Sequence, residues 1–352
     1  MTKKVIAILL ALVLVFGLAA CAGTPAATPT PAPPAATPAP GADPTPEPAP
    51  PAASLTGTLT IIVPFSAGGS TDLMARVLQP ALAERLGVNV VIENRGGGGG
   101  APGMMALAQS APDGHTIALT SISSATLTPN ISNVGYTNVE FQPVAHISVL
   151  PTGPWARTGE GIYTLEDLIR VASENPGRMT FSAGGAGGVH HVGAELFFAS
   201  IGMPGLLTHV PFDSGAEGFA AFLGGHVDFA WNTADDGAMY YAEGLVIPLA
   251  TGAAEACPIM PEIPTFRSLG YDVVFGSWWG FVAPAGIPQD ILELLDNAIR
   301  ESLEDPEVIA LFENLNQPIN YMDHVAFTNL WMSEFESNRA LLIELGLSDF
   351  AS

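Results

Sequence analysis

Residues 59–78 of the chain decide the fold, and they read LTIIVPFSAGGSTDLMARVL. Leu59–Val63 is a run of β-branched and apolar residues that predicts a strand. Apolar residues at helical spacing from Leu73 onward predict a helix that ends at Gly87. Ser70, Thr71 and Asp72 are all favourable N-cap residues for that helix. The stretch therefore predicts a strand, a glycine-containing loop and a helix in direct succession.

The same short loop occurs a second time. Its first five residues, Phe65–Gly69 (FSAGG), recur as Phe181–Gly185 within MTFSAGGAGGVHHVGAELFFASI, residues 179–201. A short strand at Met179–Phe181 is expected before the second copy, and a helix at Val189–Ile201 after it. We interpret the two copies as two half-sites, one on each of two lobes.

A loop of this kind can bind an anion. The first N–H groups of a helix have no partner within the helix and lie at the positive end of its dipole. Glycine lets the backbone approach a ligand closely, and Ser or Thr hydroxyls add further donors. Such a site accepts a carboxylate as well as a phosphate. A tight strand-to-helix turn without a ligand is the other interpretation of each loop.

The charge of the chain excludes several classes of function. There are 34 acidic and 11 basic residues among 352, and the only lysines are Lys3 and Lys4. Binding to nucleic acid needs a basic surface, and a P-loop or a Schiff base needs a lysine. Nucleic-acid partners are therefore not expected. A bound anion would have to be held largely by uncharged donors.

The N-terminus predicts export and anchoring. Residues 1–20 combine Lys3 and Lys4 with an apolar run and small residues, the pattern of a signal peptide. Cys21 after Leu-Ala-Ala resembles the lipobox of bacterial lipoproteins, which implies cleavage before Cys21 and its lipidation. An uncleaved anchor helix is the alternative. Residues 21–54 are rich in Pro, Ala and Thr and predict an extended linker that holds an extracytoplasmic body away from the membrane.

The remainder of the chain alternates between strand-like and helix-like segments. Strand-like runs are predicted at residues 88–93, 116–120, 143–149, 207–211, 227–231 and 247–250, and helices at 104–110, 164–174 and 216–223. Three further helices are predicted at residues 289–304, 306–315 and 324–345. This alternation favours an α/β fold with mainly parallel sheets covered by helices. In such folds ligands lie beyond the carboxyl ends of the strands, where both glycine loops are expected.

From about Leu59 to the C-terminus the chain resembles the extracytoplasmic solute receptors of the tripartite tricarboxylate transporter (TctC/Bug) family. The motifs that carry the resemblance, in order, are IVPFSAGGSTD at 62–72, VIENR at 91–95, APDGHT at 111–116, FSAGG at 181–185, HVPF at 209–212, LGGHV at 223–227, PEIPT at 261–265 and SWWG at 277–280.

The resemblance implies a two-lobed periplasmic-binding-protein fold of the Venus-flytrap type (type II-like) that closes on a small carboxylated solute. One lobe would comprise residues 55–151 and 281–352, and the other residues 152–280. The protein would pass its solute to membrane permease subunits, carry out no catalysis, need no cofactor, and act as a monomer. The implied ligand-binding residues are Phe65, Ser66, Ala67, Gly68, Gly69, Ser70, Thr71, Asp72, Ser182, Ala183, Gly184, Gly185, Ala186, Gly187, His190 and Trp279.

The chain departs from the family pattern at two places near the expected cleft. Phe212-Asp213-Ser214 replaces a Tyr-Lys-Gly sequence, and Trp231-Asn232-Thr233, followed by Asp235 and Asp236, replaces Phe-Asp-Asn. We add Asp213, Asn232 and Asp235 to the candidate site. These two changes disfavour a highly charged solute such as citrate, and favour a monocarboxylate or a zwitterion whose ammonium pairs with Asp213 or Asp235.

Other interpretations of the motifs are weaker. Gly98–Gly103 fits G-x-G-x-x-G, but the glycine run is too long for a dinucleotide loop and contains Pro102. His191 and Glu195 share a helix face, yet two ligands do not make a zinc site, so no metal is predicted.

The rival functions are a surface-anchored hydrolase using Ser66 or Ser182, and a sensor subunit for a membrane kinase. Cys257 is interpreted as a buried apolar residue.

Overall fold

The structure is a computed structural model, and it describes residues 53–350. The predicted signal peptide, Cys21 and almost all of the predicted linker lie outside the described residues. The strands within residues 53–350 are β1 (Thr58–Val63), β2 (Asn89–Asn94), β3 (Thr116–Ser121), β4 (Phe141–Arg157), β5 (Thr180–Gly184), β6 (Thr208–Phe212), β7 (Phe229–Thr233), β8 (Val246–Pro248), β9 (Gly276–Pro284) and β10 (Ile319–Met322).

The α-helices of the same segment alternate with these strands. They are α1 (Ser70–Leu86), α2 (Ala101–Ala108), α3 (Thr128–Ile131), α4 (Leu165–Glu174), α5 (Val189–Ser200), α6 (Gly215–Leu223), α7 (Ala234–Ala242), α8 (Gln289–Leu303), α9 (Pro306–Asn314) and α10 (His324–Glu344). Most of the predicted helices and strands are confirmed to within a few residues. The sequence analysis did not predict β9, β10, α3 or α7.

The strands form two parallel groups joined by two long antiparallel strands. The order across the sheet is β2-β1-β3-β9-β4-β7-β5-β6, and β8 and β10 both pair with β4. Strands β2-β1-β3 are parallel to one another, and so are β7-β5-β6. Strand β4 pairs with β9 along residues 141–151 and with β7 along residues 152–155. Thus β1 and β5 are the central strands of their groups, and each is followed by one of the glycine loops.

This arrangement confirms the predicted α/β class with parallel strands covered by helices. The antiparallel pairing of β9 with β3 and β4 was not predicted. Residues 276–284 are buried almost throughout, and such a short apolar run gives no periodicity by which to recognise a strand. The predicted lobe boundaries, 55–151 with 281–352 and 152–280, stay a prediction.

The apolar core extends under both parallel groups. Its largest fully buried side chains are Trp231, Trp331, Phe181, Phe197, Phe198, Phe219, Phe222, Phe229, Phe266, Phe281, Phe312 and Phe327. Aromatic side chains of this size each bury roughly 150–250 Å² and dominate core energetics. Cys257 is fully buried, as the sequence analysis expects, and burial raises the pKa of its thiol.

No helix within residues 53–350 is long and apolar enough to cross a membrane.

Candidate functional site

A cavity with a volume of about 370 Å³ lies at the carboxyl ends of the parallel strands. Each of these strands contributes wall residues from the segment that follows it. These are Phe65, Gly69, Ser70 and Thr71 after β1, Gly97–Gly100 after β2, Ser121 and Ser123 at β3, Gly184–Ala186, Gly188, Val189 and His190 after β5, Pro211–Ala216 after β6, and Thr233 and Asp236 after β7. Ser277 and Trp279 of β9 complete the wall. This is where ligands bind in open α/β sheets.

The first glycine loop is held in place by Asp72. The carboxylate of Asp72 accepts hydrogen bonds from Gly68 N at 2.8 Å, from Arg76 Nε at 2.8 Å and from Asn94 Nδ2 at 3.0 Å. Burial alone raises the pKa of Asp72, but the hydrogen bonds from Arg76, Gly68 and Asn94 outweigh it and lower the pKa. Asp72 is therefore an anchor of the loop rather than a wall residue.

The start of α1 differs from the prediction of a side-chain cap. The N-cap residue is Gly69, which has no side chain, and Ser70, Thr71 and Asp72 occupy the first turn. Thr71 Oγ1 accepts a hydrogen bond from Trp279 Nε1 at 3.0 Å. The first turn thus places Ser70 and Thr71 against the cavity, beside an indole that the sequence analysis also placed there.

The second copy of the repeat does not have the same conformation as the first. Strand β5 runs through Gly184, so Ser182 and Ala183 are strand residues and are fully buried, whereas β1 ends at Val63 before its copy begins. The strand prediction ending at Phe181 was too short. A run of small residues can extend a buried strand, and only packing decides where such a strand ends. The second loop is consequently residues 185–188.

The second loop is fixed by its neighbours on three sides. Gly187 N donates to His191 Nδ1 at 3.0 Å, and Val189 N donates to Ser123 Oγ, from the segment after β3, at 3.0 Å. Gly187 has a φ of +77°, and a methyl group on it would lie 1.9 Å from Ile131 Cδ1. Only glycine fits at this position.

The two glycine loops line the same cavity from opposite parallel groups. Ser70 Oγ, after β1, donates to Asp235 Oδ2, after β7, at 2.6 Å. A methyl group built on Gly69 would lie 3.7 Å from Ser214 Cβ, which follows β6. The segments after β1, β6 and β7 therefore meet at the cavity, as the sequence analysis requires of two facing half-sites.

The predicted ligand residues fall into two sets. Those that line the cavity are Phe65, Gly69, Ser70, Thr71, Gly184, Gly185, Ala186, His190, Asp213 and Trp279. Those that do not are Ser66, Ala67, Gly68, Asp72, Ser182, Ala183, Gly187, Asn232 and Asp235. The second set lies behind or beside the wall: Asn232 is fully buried, and its Nδ2 donates to Asp236 Oδ2 at 2.7 Å.

Gly97–Gly100, in the glycine run that the sequence analysis rejected as a dinucleotide loop, form part of the cavity wall. Gly97, Gly98, Gly99 and Gly100 all have positive φ angles, and all four line the cavity. Gly99 N lies 3.6 Å from the position of a methyl group built on Gly185, so this loop approaches the second glycine loop. Five consecutive glycines after a strand were the signal for a close backbone approach to a ligand.

The cavity wall contains no permanent cation. None of the nine arginines, all of which lie in the described segment, lines the cavity, and its ionisable residues are Asp213, Asp236 and His190. Burial lowers the pKa of His190 to about 4, and the neighbouring His209 adds to this effect. His190 is therefore neutral at pH 7. Within residues 53–350, His, Cys, Asp and Glu side chains form no cluster of three or more that could hold a metal ion.

Comparison with known proteins assigns the family. Residues 74–347 match the family model of the tripartite tricarboxylate transporter family receptor, TctC. The chain belongs to this family. It is 32% identical over 259 residues to protein BugT of Bordetella pertussis, an alignment that covers 72% of this chain and 78% of BugT. A second relative is a protein from the tcbD–tcbE intergenic region of Pseudomonas sp. strain P51, at 27% identity over 82% of this chain and 87% of the relative.

Solved structures of similar proteins have the same fold. The periplasmic binding protein BugD matches with a TM-score of 0.76 and 26% identity, over 83% of this chain and 98% of BugD. MatC of Rhodopseudomonas palustris, solved with bound malate, matches with a TM-score of 0.75 and 25% identity, over 81% of this chain and 99% of MatC. This TctC-family protein is thus an extracytoplasmic solute-binding receptor and not an enzyme.

The hydrolase alternative also finds no support in the geometry of its two serines. Ser66 is not in the cavity wall, and Ser182 is fully buried in β5. The Oγ atom of Ser182 has no hydrogen-bond partner within residues 53–350, whereas a nucleophilic serine needs an adjacent base.

Proposed function

We propose that this receptor captures a small carboxylated solute in the cavity and passes it to membrane permease subunits of a tripartite tricarboxylate-type transporter. The observation that carries the proposal is the convergence of two glycine loops and the glycine run at 97–100 on one cavity. The wall offers backbone N–H groups, hydroxyl groups and a neutral histidine. A carboxylate can be held by such donors without a cationic side chain.

The size of the cavity fits a small organic acid. A volume of about 370 Å³ is at the lower end of the roughly 300–1,000 Å³ typical of small-molecule sites. The related receptor MatC was solved with malate, a small dicarboxylate. Phe65 and Trp279 supply apolar surface for the carbon skeleton of the solute.

Binding can be tested by thermal unfolding against a panel of carboxylates that includes L-malate, adipate, simple monocarboxylates, amino acids and citrate. A solute present at 100 times its Kd should add about 2.7 kcal/mol to the free energy of unfolding. The matched control for each hit is its dimethyl ester or amide, which lacks the charge and should not stabilise the protein. No stabilisation by any carboxylate in the panel would contradict the proposal.

We further propose that the protein is a lipoprotein anchored through Cys21 and acts as a monomer. Several acyl chains on one residue give stable membrane attachment, since each buried methylene contributes about 0.8 kcal/mol. Mass spectrometry of the protein extracted from membranes should show that residues 1–20 are absent and that Cys21 carries acyl chains. An intact segment 1–20 with an unmodified Cys21 would favour an uncleaved anchor helix.

A further inference from the structure

Two adjacent carboxyl groups, Asp235 and Asp236, lie in the first turn of α7 beside the cavity. Asp236 is part of the cavity wall, and Asp235 is next to it outside the wall. Both side chains are partly buried. Two carboxylates this close repel each other when both are ionised, so such a pair tends to keep one proton. The hydrogen bonds around the pair indicate which residue carries it.

Asp235 is the member whose charged form is stabilised. Its Oδ2 accepts hydrogen bonds from Ser70 Oγ at 2.6 Å and from Gln317 Nε2 at 2.7 Å. Gln317 is almost fully buried, and its Oε1 accepts from Ser148 Oγ at 3.0 Å, which fixes the amide orientation. Two donors on one oxygen favour the carboxylate over the acid. Burial raises the pKa of Asp235 as well, and its Oδ1 has no hydrogen-bond partner within residues 53–350, so the pair retains a proton. The two close donors on Oδ2 favour Asp235 as the member that carries the negative charge.

Asp236 also accepts two side-chain hydrogen bonds, but only one of its donors is close. Its Oδ2 accepts from Asn232 Nδ2 at 2.7 Å, with Thr233 Oγ1 at 3.5 Å, and its Oδ1 accepts no hydrogen bond within residues 53–350. Burial and the charge of Asp235 raise the pKa of Asp236 to about 8. The carboxyl group that faces the cavity is therefore the protonated one at pH 7.

No cation near α7 offsets this effect. The ionisable groups on α7, on the elements packed against it and on the nearby cavity wall are Asp235, Tyr240, Tyr241, Glu243, His146, Arg157, Glu217, Asp213, His190 and Cys257, whose thiol is close enough to Asp235 for the carboxylate to raise its pKa. The one arginine of this set, Arg157, is paired with Glu160 at 2.7 Å. Its guanidinium also donates to the carbonyl oxygens of Phe222 and Val227.

A second neutral donor lies beside Asp236. A methyl group built on Gly215 would lie 2.6 Å from Asp236 Oδ2, 3.0 Å from Asn232 Nδ2 and 3.0 Å from His190 Cε1. These three side chains therefore converge on one point of the wall. His190 is buried, and its Nδ1 accepts a hydrogen bond from Gly184 N at 3.5 Å, which leaves the ring hydrogen on Nε2. Nε2 itself is bonded to no atom of the described segment.

We propose that Asp236 binds the solute as a neutral acid, donating its O–H to a carboxylate oxygen of the solute, and that the Asp235–Asp236 pair must hold one proton for binding. This inference rests on the proposed function. It narrows the class of solute, because the solute group in contact with Asp236 must be a hydrogen-bond acceptor and not an ammonium. An ionised Asp236 would repel a carboxylate, because two like charges in contact interact strongly at low dielectric.

The proposal has a measurable consequence for pH dependence. Below the pKa of Asp236 the affinity for a carboxylate should be constant. Above that pKa only the remaining protonated fraction binds, so the affinity should fall about tenfold for each further pH unit. Replacing Asp236 with Asn keeps a neutral donor at the same place and should remove this fall.

The test has a part that needs no ligand and a part that uses defined probes. In the free protein with ¹³C-labelled aspartate carboxyl groups, NMR titration should show one resonance that titrates above pH 7 and is missing in Asp236→Asn.

Titration calorimetry with L-malate and adipate as probes at pH 6, 7, 8 and 9 should then show constant affinity up to the measured pKa of Asp236 and weaker binding above it. Asp236→Asn should lose the fall in affinity above pH 7 that the wild type shows, whatever its affinity at pH 7. Asp290→Asn, an exposed change of the same kind far from the cavity wall, serves as the control and should follow the wild type.

Several results would overturn the inference. One is an Asp236 resonance that titrates below pH 6. Another is a wild-type affinity that does not change between pH 6 and 9. A third is an Asp236→Asn variant that keeps its fold and loses carboxylate binding, which would mean that the ionised acid is required. If neither probe nor any carboxylate of the panel binds at any pH, the proposed function fails, and the inference fails with it. The NMR titration still reports the proton on Asp236 separately.

Discussion

At the scale of single residues, the binding site depends on glycines that line the cavity. Gly69 and Gly185 line it from the two loops. The nearest atoms to a methyl group on Gly185 are Gly99 N at 3.6 Å and Gly99 Cα at 3.7 Å, and those to one on Gly69 lie at 3.7 Å. Both positions therefore have space for alanine in the free protein, and the added methyl would occupy room that the solute needs.

We expect Gly69→Ala and Gly185→Ala each to weaken solute binding at least about tenfold, equivalent to about 1.4 kcal/mol. The free energy of unfolding without ligand should change by less than about 1 kcal/mol, since neither methyl group clashes with its surroundings. Calorimetry and urea unfolding of the same samples separate the two effects. Unchanged affinity in both variants would place the solute away from these loops.

The histidines around the second loop should make the protein less stable in acid. Burial lowers the pKa of His190, His191 and His209 to about 4 in each case, so these rings are neutral in the folded state. As the pH falls from about 6.5 towards 4, the unfolded chain binds protons that the folded protein does not bind. The free energy of unfolding should then fall by about 1.4 kcal/mol per pH unit for each such histidine.

His209 offers a direct test of this pH dependence. Its ring is stacked on His191, with centroids 4.2 Å apart, and lies 5.2 Å from the ring of Phe181. His209→Phe keeps an aromatic ring there but removes one titrating group. We expect the free energy of unfolding, measured with urea at pH 7, 6 and 5, to fall less steeply with decreasing pH for His209→Phe than for the wild type. His226→Gln, a change at an exposed histidine, is the control. The same dependence of unfolding free energy on pH in all three proteins would contradict a lowered pKa of His209 in the folded protein.

At the scale of secondary-structure elements, Asp72 joins the start of α1 to the loop that precedes it and to the end of β2. It accepts hydrogen bonds from Gly68 N in the loop, from Arg76 in α1 and from Asn94 at the end of β2. Its side chain is almost fully buried, so removing the carboxylate leaves these donors unpaired.

We expect Asp72→Ala to lower the free energy of unfolding by about 1–3 kcal/mol and to weaken solute binding as well, because the first glycine loop loses its anchor. Arg76→Ala is the matched variant, since it removes one donor that is half exposed and leaves the Gly68 contact in place. It should cost less than about 1 kcal/mol. Full solute affinity in a folded Asp72→Ala protein would show that the loop does not need this anchor.

The elements also show which parts of the fold could be predicted. The helix predicted at residues 164–174 is confirmed as α4, and its start is fixed by a capping box of Thr164 and Asp167, whose partners are local in sequence. Strand β9 was missed because Trp278 and its neighbours are buried on both faces and show no alternation. Ser182 and Asp235 were predicted in the site but lie outside the cavity wall. Ser182 belongs to β5, and tertiary contacts set where that strand ends. Asp235 is held by hydrogen bonds from Ser70 and Gln317, which are also tertiary contacts. The wall role of Asp236 depends on the same contacts.

At the scale of the whole molecule, long strands connect the two parallel groups. Strand β4 passes from pairing with β9 to pairing with β7 at residues 151–152. These residues coincide with a predicted lobe boundary. Ser70 to Asp235 and Val189 to Ser123 are polar contacts between the two groups, and Val189 and Val192 of α5 also belong to an apolar cluster with Ile122 and Leu127. An arrangement of this kind favours hinge motion, in which a solute selects the closed state by its contacts with both sides.

Closure can be followed by small-angle X-ray scattering. The radius of gyration should decrease when saturating solute is added to the wild type, since bound solute contacts both glycine loops. Gly185→Ala should show the same decrease only at a solute concentration that is higher by the factor by which its affinity has fallen. An identical radius of gyration for the wild type with and without solute, under conditions where calorimetry shows saturation, would exclude closure by hinge motion.

An experimental structure of the protein with the carboxylate that stabilises it most in the panel would locate the solute. We expect a carboxylate group in the cavity within hydrogen-bond distance of backbone N–H groups from both loops, at residues 69–71 and 185–188, and no arginine in contact with it. A solute bound outside this cavity, or a carboxylate held by a guanidinium group, would show that the glycine loops do not form the binding site.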